Sequence, residues 1–315
     1  MNKIIIISGP TGVGKTNISL KLAERIGGEI ISADSMQVYK GFDIGSAKIM
    51  PDQMKGIKHH LIDILDPISE NFDVALFQKL ASKAIEEICA RNKVPIIVGG
   101  TAFYIQALLY GIDFTQEDHD DSYREYLSGF DNEKLFEMLK EKDPEYADST
   151  HMNNRKRVIR ALEYYNFTGI KFSEYNRKQT EKKAVYDYLY FVLDDKRETI
   201  YDNINKRVDI MVKDGLLNEA KRLYNMNIPP NSNARVGIGY KEMFDHLEGK
   251  ISFDEAVELI KLNSRHYAKR QLTWLRNEDD TIFIRKDEFD HNDEKMTAFM
   301  ADLYEKMDGS NDDRK

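Results

Sequence analysis

Residues 4–16 read Ile4-Ile5-Ile6-Ile7-Ser8-Gly9-Pro10-Thr11-Gly12-Val13-Gly14-Lys15-Thr16, four isoleucines running straight into the pattern G-x-x-x-x-G-K-T. An unbroken β-branched run of this kind is read as a parallel strand buried on both faces, which confines the chain to a sheet covered by helices. The glycines let the backbone turn tightly, with its N–H groups facing inward. Together with the N-terminus of a helix starting near Lys15, they make an anion site. Lys15 adds a positive charge for phosphate oxygens, and the Thr16 hydroxyl suits Mg²⁺, which prefers hard oxygen ligands. The loop formed by Gly9, Pro10, Thr11, Gly12, Val13, Gly14, Lys15 and Thr16 therefore predicts a bound di- or triphosphate. It does not say which compound binds, or whether the phosphate is transferred or leaves.

The chain continues in the same β/α alternation. Thr16 to Ile26 suits a helix, and Glu29 to Asp34 is a short strand ending on a carboxylate. Ser35 to Gly41 is loop-like, His59 to Leu65 alternates as a third strand, and Phe72 to Arg91 has helical periodicity. Val94 to Val98 is another apolar strand entering the glycine turn Gly99-Gly100-Thr101, with a helix expected to Tyr110. This order is the signature of an open, parallel α/β sheet of the P-loop type flanked by helices. Such sheets bind ligands beyond the carboxyl ends of their strands, where the phosphate loop, Asp34 and Thr101 all fall.

The pattern changes near Ile112. Asp118 to Tyr175 lacks strand signals and is rich in helix formers and basic residues, so residues 113–185 read as a mostly helical insertion between core segments 1–112 and 186–315. Tyr186 to Leu193 is expected to return to the sheet. Thr199 to Asn225 reads as a long helix that Gly215 breaks or kinks. Phe253 to Leu275 reads as another helix, Thr281 to Arg285 as an edge strand, and Asp308 to Lys315 as a frayed end.

Net charge is −8, which by itself argues against a nucleic-acid partner. The charge is uneven, however. Residues 151–183 carry nine Lys/Arg against three acids, and residues 261–276 carry five Lys/Arg and no acid. Arg157 and Arg160 share a helix face, and Arg265, Lys269, Arg270 and Arg276 are interleaved with His266 and Tyr267. Cations for phosphates beside aromatics for splayed bases suit looped RNA, whereas a solvated helix face is the plainer reading of either run alone. The single cysteine, Cys89, excludes a disulfide and a thiolate metal cluster, and adjacent His59 and His60 would point to opposite faces of a strand. No apolar run approaches a membrane span, and the expected compartment is the cytoplasm. No segment points to an obligate protein partner.

Asp34 has two readings: a carboxylate that organises Mg²⁺ through water, or a general base beside the held phosphate. Thr101 offers a hydroxyl and an N–H to a phosphate oxygen, or serves as a helix N-cap. The strand Ile96-Ile97-Val98 runs into Gly99 rather than an Asp, which weakens a motor or hydrolase reading. Arg207, a single cation on a helix, reads by spacing alone as a surface ion pair.

Taken in order, several stretches resemble the bacterial tRNA dimethylallyltransferases. They are Gly9 to Thr16, Ala33 to Gly41, Asp43-Ile44-Gly45-Ser46-Ala47-Lys48, His59 to Asp63, Gly99-Gly100-Thr101, Arg160-Ala161-Leu162-Glu163, Gly239-Tyr240-Lys241-Glu242 and Ala268 to Arg276. The resemblance implies transfer of a dimethylallyl group from its diphosphate to the exocyclic amine of the adenine next to the anticodon of tRNA. The phosphate loop would then hold the isoprenoid's diphosphate, with Thr16 supporting Mg²⁺, Asp34 acting as base and Arg207 on the leaving diphosphate. The tRNA anticodon stem-loop would face Asp34, Ser35, Met36, Gln37, Thr101 and Arg124. It would also face Lys156, Arg157, Val158, Ile159 and Arg160, then Gly239, Tyr240 and Lys241, with Arg265, Lys269 and Arg270 adding basic contacts. Ser46 stands where Thr is usual. The rival readings are a small-molecule or nucleoside kinase and a nucleotide-switched RNA-binding module.

Overall fold

The computed structural model describes residues 2–114, 121–180, 183–230 and 232–309. The start of the expected helical stretch at Asp118 and the end of the tail lie outside these residues. In chain order the elements are β1 (Lys3–Ser8), α1 (Lys15–Ile26), β2 (Gly28–Ser32), β3 (His59–His60), α2 (Val74–Ala90), β4 (Val94–Val98) and α3 (Ala102–Tyr110). Five helices follow: α4 (Asp121–Ser128), α5 (Asn132–Lys142), α6 (Pro144–Ser149), α7 (Arg155–Thr168) and α8 (Phe172–Thr180). The chain then runs through β5 (Asp187–Asp194), α9 (Arg197–Lys213), α10 (Leu216–Asn225), α11 (Tyr240–Leu247), α12 (Phe253–Leu275), β6 (Thr281–Arg285) and α13 (Asp293–Gly309). Two compact units result, Met1–Leu108 with Tyr186–Lys315, and Leu109–Val185.

The first unit carries a six-stranded sheet in the order β3-β2-β4-β1-β5-β6, parallel at every pairing. β1 lies between β4 and β5, and the side chains of Ile4 to Ile7 are at most 1% exposed. Their burial is worth about 1.5–3 kcal/mol each. The strand ends are stitched together. Gly99 N donates to Ile7 O at 3.2 Å, Ser8 Oγ to Gly99 O at 2.9 Å, and Ala33 N to Val98 O at 2.8 Å. A Cβ on Gly99 would lie 2.2 Å from Ala33 O, so only glycine lets β4 leave the sheet this close to β2. The stitching brings the ends of β1, β4 and β2 side by side.

The expected strand over His59 to Leu65 is corrected to two residues, His59 and His60, which pair with Ile30 and Ile31. Leu61 and Asp63 have left-handed φ values of 62° and 55°, incompatible with continued pairing, and only an isolated bridge between Tyr39 and Leu65 follows. Gly215, at φ 102°, breaks the Thr199 to Asn225 stretch into α9 and α10. Helix α13 had no counterpart in the sequence reading.

The second unit is helical around Leu127, Leu135, Leu139, Ala147, Val158, Ala161 and Leu162. Buried Asp143 accepts from Tyr146 N, Ser173 N and Ser173 Oγ, tying the start of α6 to α8. No described helix is long and apolar enough to cross a membrane.

Candidate active site

The phosphate loop follows β1 and is shaped by its glycines. A Cβ on Gly9 would lie 2.4 Å from Leu193 O, and Gly14 starts α1 at φ 96°. Val13 is 2% exposed and packs in the core, so the loop offers its ligand backbone rather than that side chain. Lys15 Nζ donates to Gly9 O at 2.8 Å and Pro10 O at 2.9 Å. Burial, reinforced by the nearby Arg207 guanidinium, lowers its pKa to about 7, against a smaller opposing pull from Asp34. Thr16, on the first turn of α1, is exposed.

Arg207 enters from α9. Its Nη1 lies 3.4 Å from Thr11 Oγ1, burial pulls its pKa below the ordinary value, and no carboxylate pairs with it among the described residues. The expected surface ion pair is therefore absent among those residues: an arginine is held half-buried against the phosphate loop. Asp34, just beyond β2, accepts from Met36 N at 2.8 Å and Gln37 N at 3.2 Å through Oδ1. This fixes the carboxylate plane, and Oδ2 has no hydrogen bond among the described residues.

Thr101 N donates to Ala33 O at 3.4 Å, and its hydroxyl shares a hydrogen bond with Tyr267 from α12. Burial and then the Asp34 charge raise the Tyr267 pKa. The sequence reading missed Gln271. It is 5% exposed, accepts from Thr11 N at 2.8 Å and donates to Gly100 O at 2.9 Å. One amide thus clamps the phosphate loop to the glycine turn after β4.

Of these groups, Thr11, Arg207, Asp34 and Tyr267 line a cavity of about 330 Å³. Thr11 and Arg207 supply its cationic, polar end, and Asp34, Ser35 and Tyr267 supply further polar groups. Ile204, Val208 and Met211 from α9, with Ile238, Ile260 and Met36, give it an apolar lining. The three α9 residues recur at intervals of four and three, a helical face that only becomes meaningful beside Arg207.

The family model described as IPP transferase matches residues 37–278. The chain belongs to the IPP transferase family. A tRNA dimethylallyltransferase of Lachnoclostridium phytofermentans is 46% identical over 310 residues, spanning 97% of this chain and 99% of its own. The crystal structure of the tRNA isopentenylpyrophosphate transferase of Bacillus halodurans superposes with a TM-score of 0.74 at 42% identity, covering 99% of both chains. A eukaryotic dimethylallyltransferase acting on tRNA gives 0.80 at 33% identity, over 90% of this chain and 74% of that one.

Within this member of the family, the expected RNA-facing residues have different surroundings. Lys156 and Arg157 are exposed on α7, and Ile159 and Arg160 are half-buried. Val158 is corrected to a core position: it is 0% exposed inside the helical unit. Arg124 pairs with both Glu163 oxygens, at 2.6 and 2.8 Å. Tyr240 is likewise corrected, because its side chain is 0% exposed and cannot face RNA. Gly239 is buried at φ 98° with its N–H on Glu242, while Lys241 is exposed. Arg265 donates to Asn205 Oδ1 at 2.6 Å. Lys269 and Arg270 are exposed, and with Trp274 they line a second cavity of about 710 Å³. Burial of single positions in basic, helix-forming stretches leaves little trace in sequence.

Proposed function

We propose that this protein transfers the dimethylallyl group of dimethylallyl diphosphate to the N6 amine of the adenine at position 37 of tRNA, releasing diphosphate. The observation that carries the reading is one cavity combining three features among the described residues: an arginine with no carboxylate partner there beside a phosphate loop, an apolar lining, and an aspartate whose Oδ2 takes no hydrogen bond there. A nucleotide kinase has no use for the apolar surface of Ile204, Val208 and Met211, which suits a short branched hydrocarbon.

The residues divide the work as follows. Gly9 to Thr16, Lys15 and Arg207 hold the diphosphate. Negative charge grows on its bridging oxygen as the bond to the allylic carbon breaks, and pre-placed donors stabilise that charge without reorganising. The N6 lone pair forms the new C–N bond at that carbon, and Asp34 Oδ2 takes the N6 proton. The Asp34 turn through Met36 and Gln37 keeps the acceptor oxygen aimed. The Tyr267 hydroxyl, hydrogen-bonded to Thr101 and close enough to feel the Asp34 charge, fits a role in orienting the base. The adenine leaves its stack to reach the cavity, at a cost of a few kcal/mol. Exposed Lys156, Arg157, Lys241, Lys269 and Arg270 contribute phosphate contacts that offset it. Arg124 adds one if it is exchanged from Glu163.

The described residues contain no cluster of three His, Cys, Asp or Glu that could hold a metal. The donor present, the Thr16 hydroxyl, fits an ion that takes most of its oxygens from diphosphate and water, as Mg²⁺ does. When bound, Mg²⁺ would neutralise charge on the departing diphosphate. A tRNA-modifying role fits a cytoplasmic protein.

The test is incubation with unmodified tRNA, Mg²⁺ and dimethylallyl diphosphate, followed by nucleoside mass analysis, with ATP replacing the isoprenoid in a parallel tube. Adenosine should gain one dimethylallyl group only with the isoprenoid. ATP consumption without such a product would return the kinase reading.

A further inference from the structure

One sequence motif has no part in the chemistry above: Asp43-Ile44-Gly45-Ser46-Ala47-Lys48. Its Gly45, Ser46 and Ala47 form one wall of the cavity, next to Met36 and Val236-Gly237-Ile238. This wall is largely backbone and small side chains, so it cannot adapt by changing rotamers. Where it stands depends on what holds it from behind.

Two buried charges do so, and neither lines the cavity. Glu219, on α10, is 7% exposed and accepts from Asp43 N at 3.1 Å, Ile44 N at 2.9 Å, Gly45 N at 3.0 Å and Tyr240 Oη at 2.7 Å. No cation pairs with it among the described residues. A buried carboxylate is costly unless donors surround it, and these donors come from the wall and from the first residue of α11. Lys48 holds the other end, donating to Tyr39 O and Asp43 Oδ1, both at 2.8 Å, and to Asp63. Between them Ala47 sits at φ 51°, a conformation that a β-carbon disfavours and that the surrounding bonds impose. Tyr240 also packs directly under the wall: a Cβ on Gly45 would lie 2.6 Å from its ring. On the neighbouring turn, a Cβ on Gly237 would lie 2.6 Å from Met36 Sδ.

We propose that Glu219 is a positioning residue that sets the donor specificity of the cavity. Through the amide of Gly45 in the wall, those of Asp43 and Ile44 leading into it, and Tyr240, it fixes the depth available to the prenyl group, so that a five-carbon tail fits and a ten-carbon tail does not. The inference rests on the prenyl-transfer reading for its substrate, and on the structure alone for the role of Glu219 in holding the wall.

The test compares wild type, Glu219→Gln and Tyr240→Phe. Gln keeps the shape but turns an NH₂ group toward donors. Phe removes one of the four donors and leaves the wall amides satisfied. Two readouts are used. The first is the KM for dimethylallyl diphosphate against the inhibition constant of geranyl diphosphate, at saturating tRNA. Their ratio should shift toward the longer donor by about tenfold in Glu219→Gln, the low end of what one methylene is worth in an apolar pocket, with the KM for tRNA unchanged. Tyr240→Phe should shift it the same way, by less. The second readout is amide hydrogen exchange, which should accelerate at Asp43, Ile44 and Gly45 while β1 and β4 stay as protected as in wild type. An unchanged ratio with unchanged exchange overturns the proposal, whatever happens to total activity. If Glu219→Gln does not fold, Tyr240→Phe decides on the same two readouts. If wild type transfers no prenyl group, the functional reading fails, and exchange still judges whether Glu219 holds the wall.

Discussion

The two compact units use their basic residues differently. In the sheet unit, Lys15 and Arg207 are sunk beside the phosphate loop; among the described residues Arg207 has no carboxylate partner and Lys15 bonds only to carbonyls of its own loop. In the helical unit, Arg155 donates to the carbonyls of Leu127, Ser128 and Phe130 at the end of α4, and Arg124 grips Glu163, while Lys156 and Arg157 stand in solvent. A desolvated cation matches a small, dense anion in a fixed place. A solvated one matches a diffuse polyanion and is screened by salt. The first kind should act on turnover and on the donor, the second on affinity for RNA.

The strongest way to break this contrast is at Asp34, the base in the same cavity as the sunken Arg207. Asp34→Asn keeps an oxygen for the Met36 and Gln37 amides and removes only basicity. It should lower single-turnover transfer by about 10²–10⁴-fold with nearly unchanged tRNA affinity. Loss of tRNA binding with normal turnover would move Asp34 from the chemistry to the RNA surface. Next comes Arg207→Ala, which should cost about 10²–10³-fold in kcat/KM for the donor, as removal of one charge-stabilising donor does, and should leave the KM for tRNA unchanged.

The third expectation concerns pH. Lys15 has a folded pKa of about 7, below its ordinary value, so between there and the ordinary lysine value the unfolded chain binds more protons. Stability of the free protein should therefore gain from Lys15 as pH rises through that window. Binding of diphosphate favours the charged ammonium, so above pH 7 it should take up a proton, and affinity should fall as pH rises, by up to about tenfold per unit. Calorimetry in buffers of different ionisation enthalpy measures the uptake. Lys15→Arg should abolish its Lys15-dependent part. The smallest effect is expected from Lys156→Glu and Arg157→Glu, which should raise the KM for tRNA severalfold and lessen the salt dependence by about 0.7–0.9 per lost phosphate contact. The KM for the prenyl donor should not move.

Much of this arrangement was legible in the sequence because it is local. The isoleucine run, the glycine spacing of the phosphate loop, and Asp34 and Thr101 at strand ends all follow from short-range pattern. What escaped is what the fold brings together. Gln271 meets Thr11 across 260 positions, and nothing in its own neighbourhood marks it as a clamp. By spacing alone Arg207 looked like a surface cation, because its helix face cannot be assigned without knowing that Gly12 packs on Ile204; only the resemblance pointed it at the diphosphate. Val158 and Tyr240 sat in stretches associated with RNA, and only their packing shows that their side chains face inward. The His59 to Leu65 alternation suggested a longer strand, but backbone conformation at Leu61 and Asp63 overrode it.

The place of β5 bears on how such a chain matures as it is made. β1 is paired on one side by β4 and on the other by β5, which is synthesised only after the whole helical unit. Domains form in order as the chain emerges, so the helical unit has the chance to fold first, while half of the central strand still lacks its neighbour. Arg207 and then Gln271 arrive later still. A chain stalled before α12 would carry the whole glycine loop and yet lack the amide that clamps it to the turn after β4. The anion site is thus written in the first residues and completed among the last.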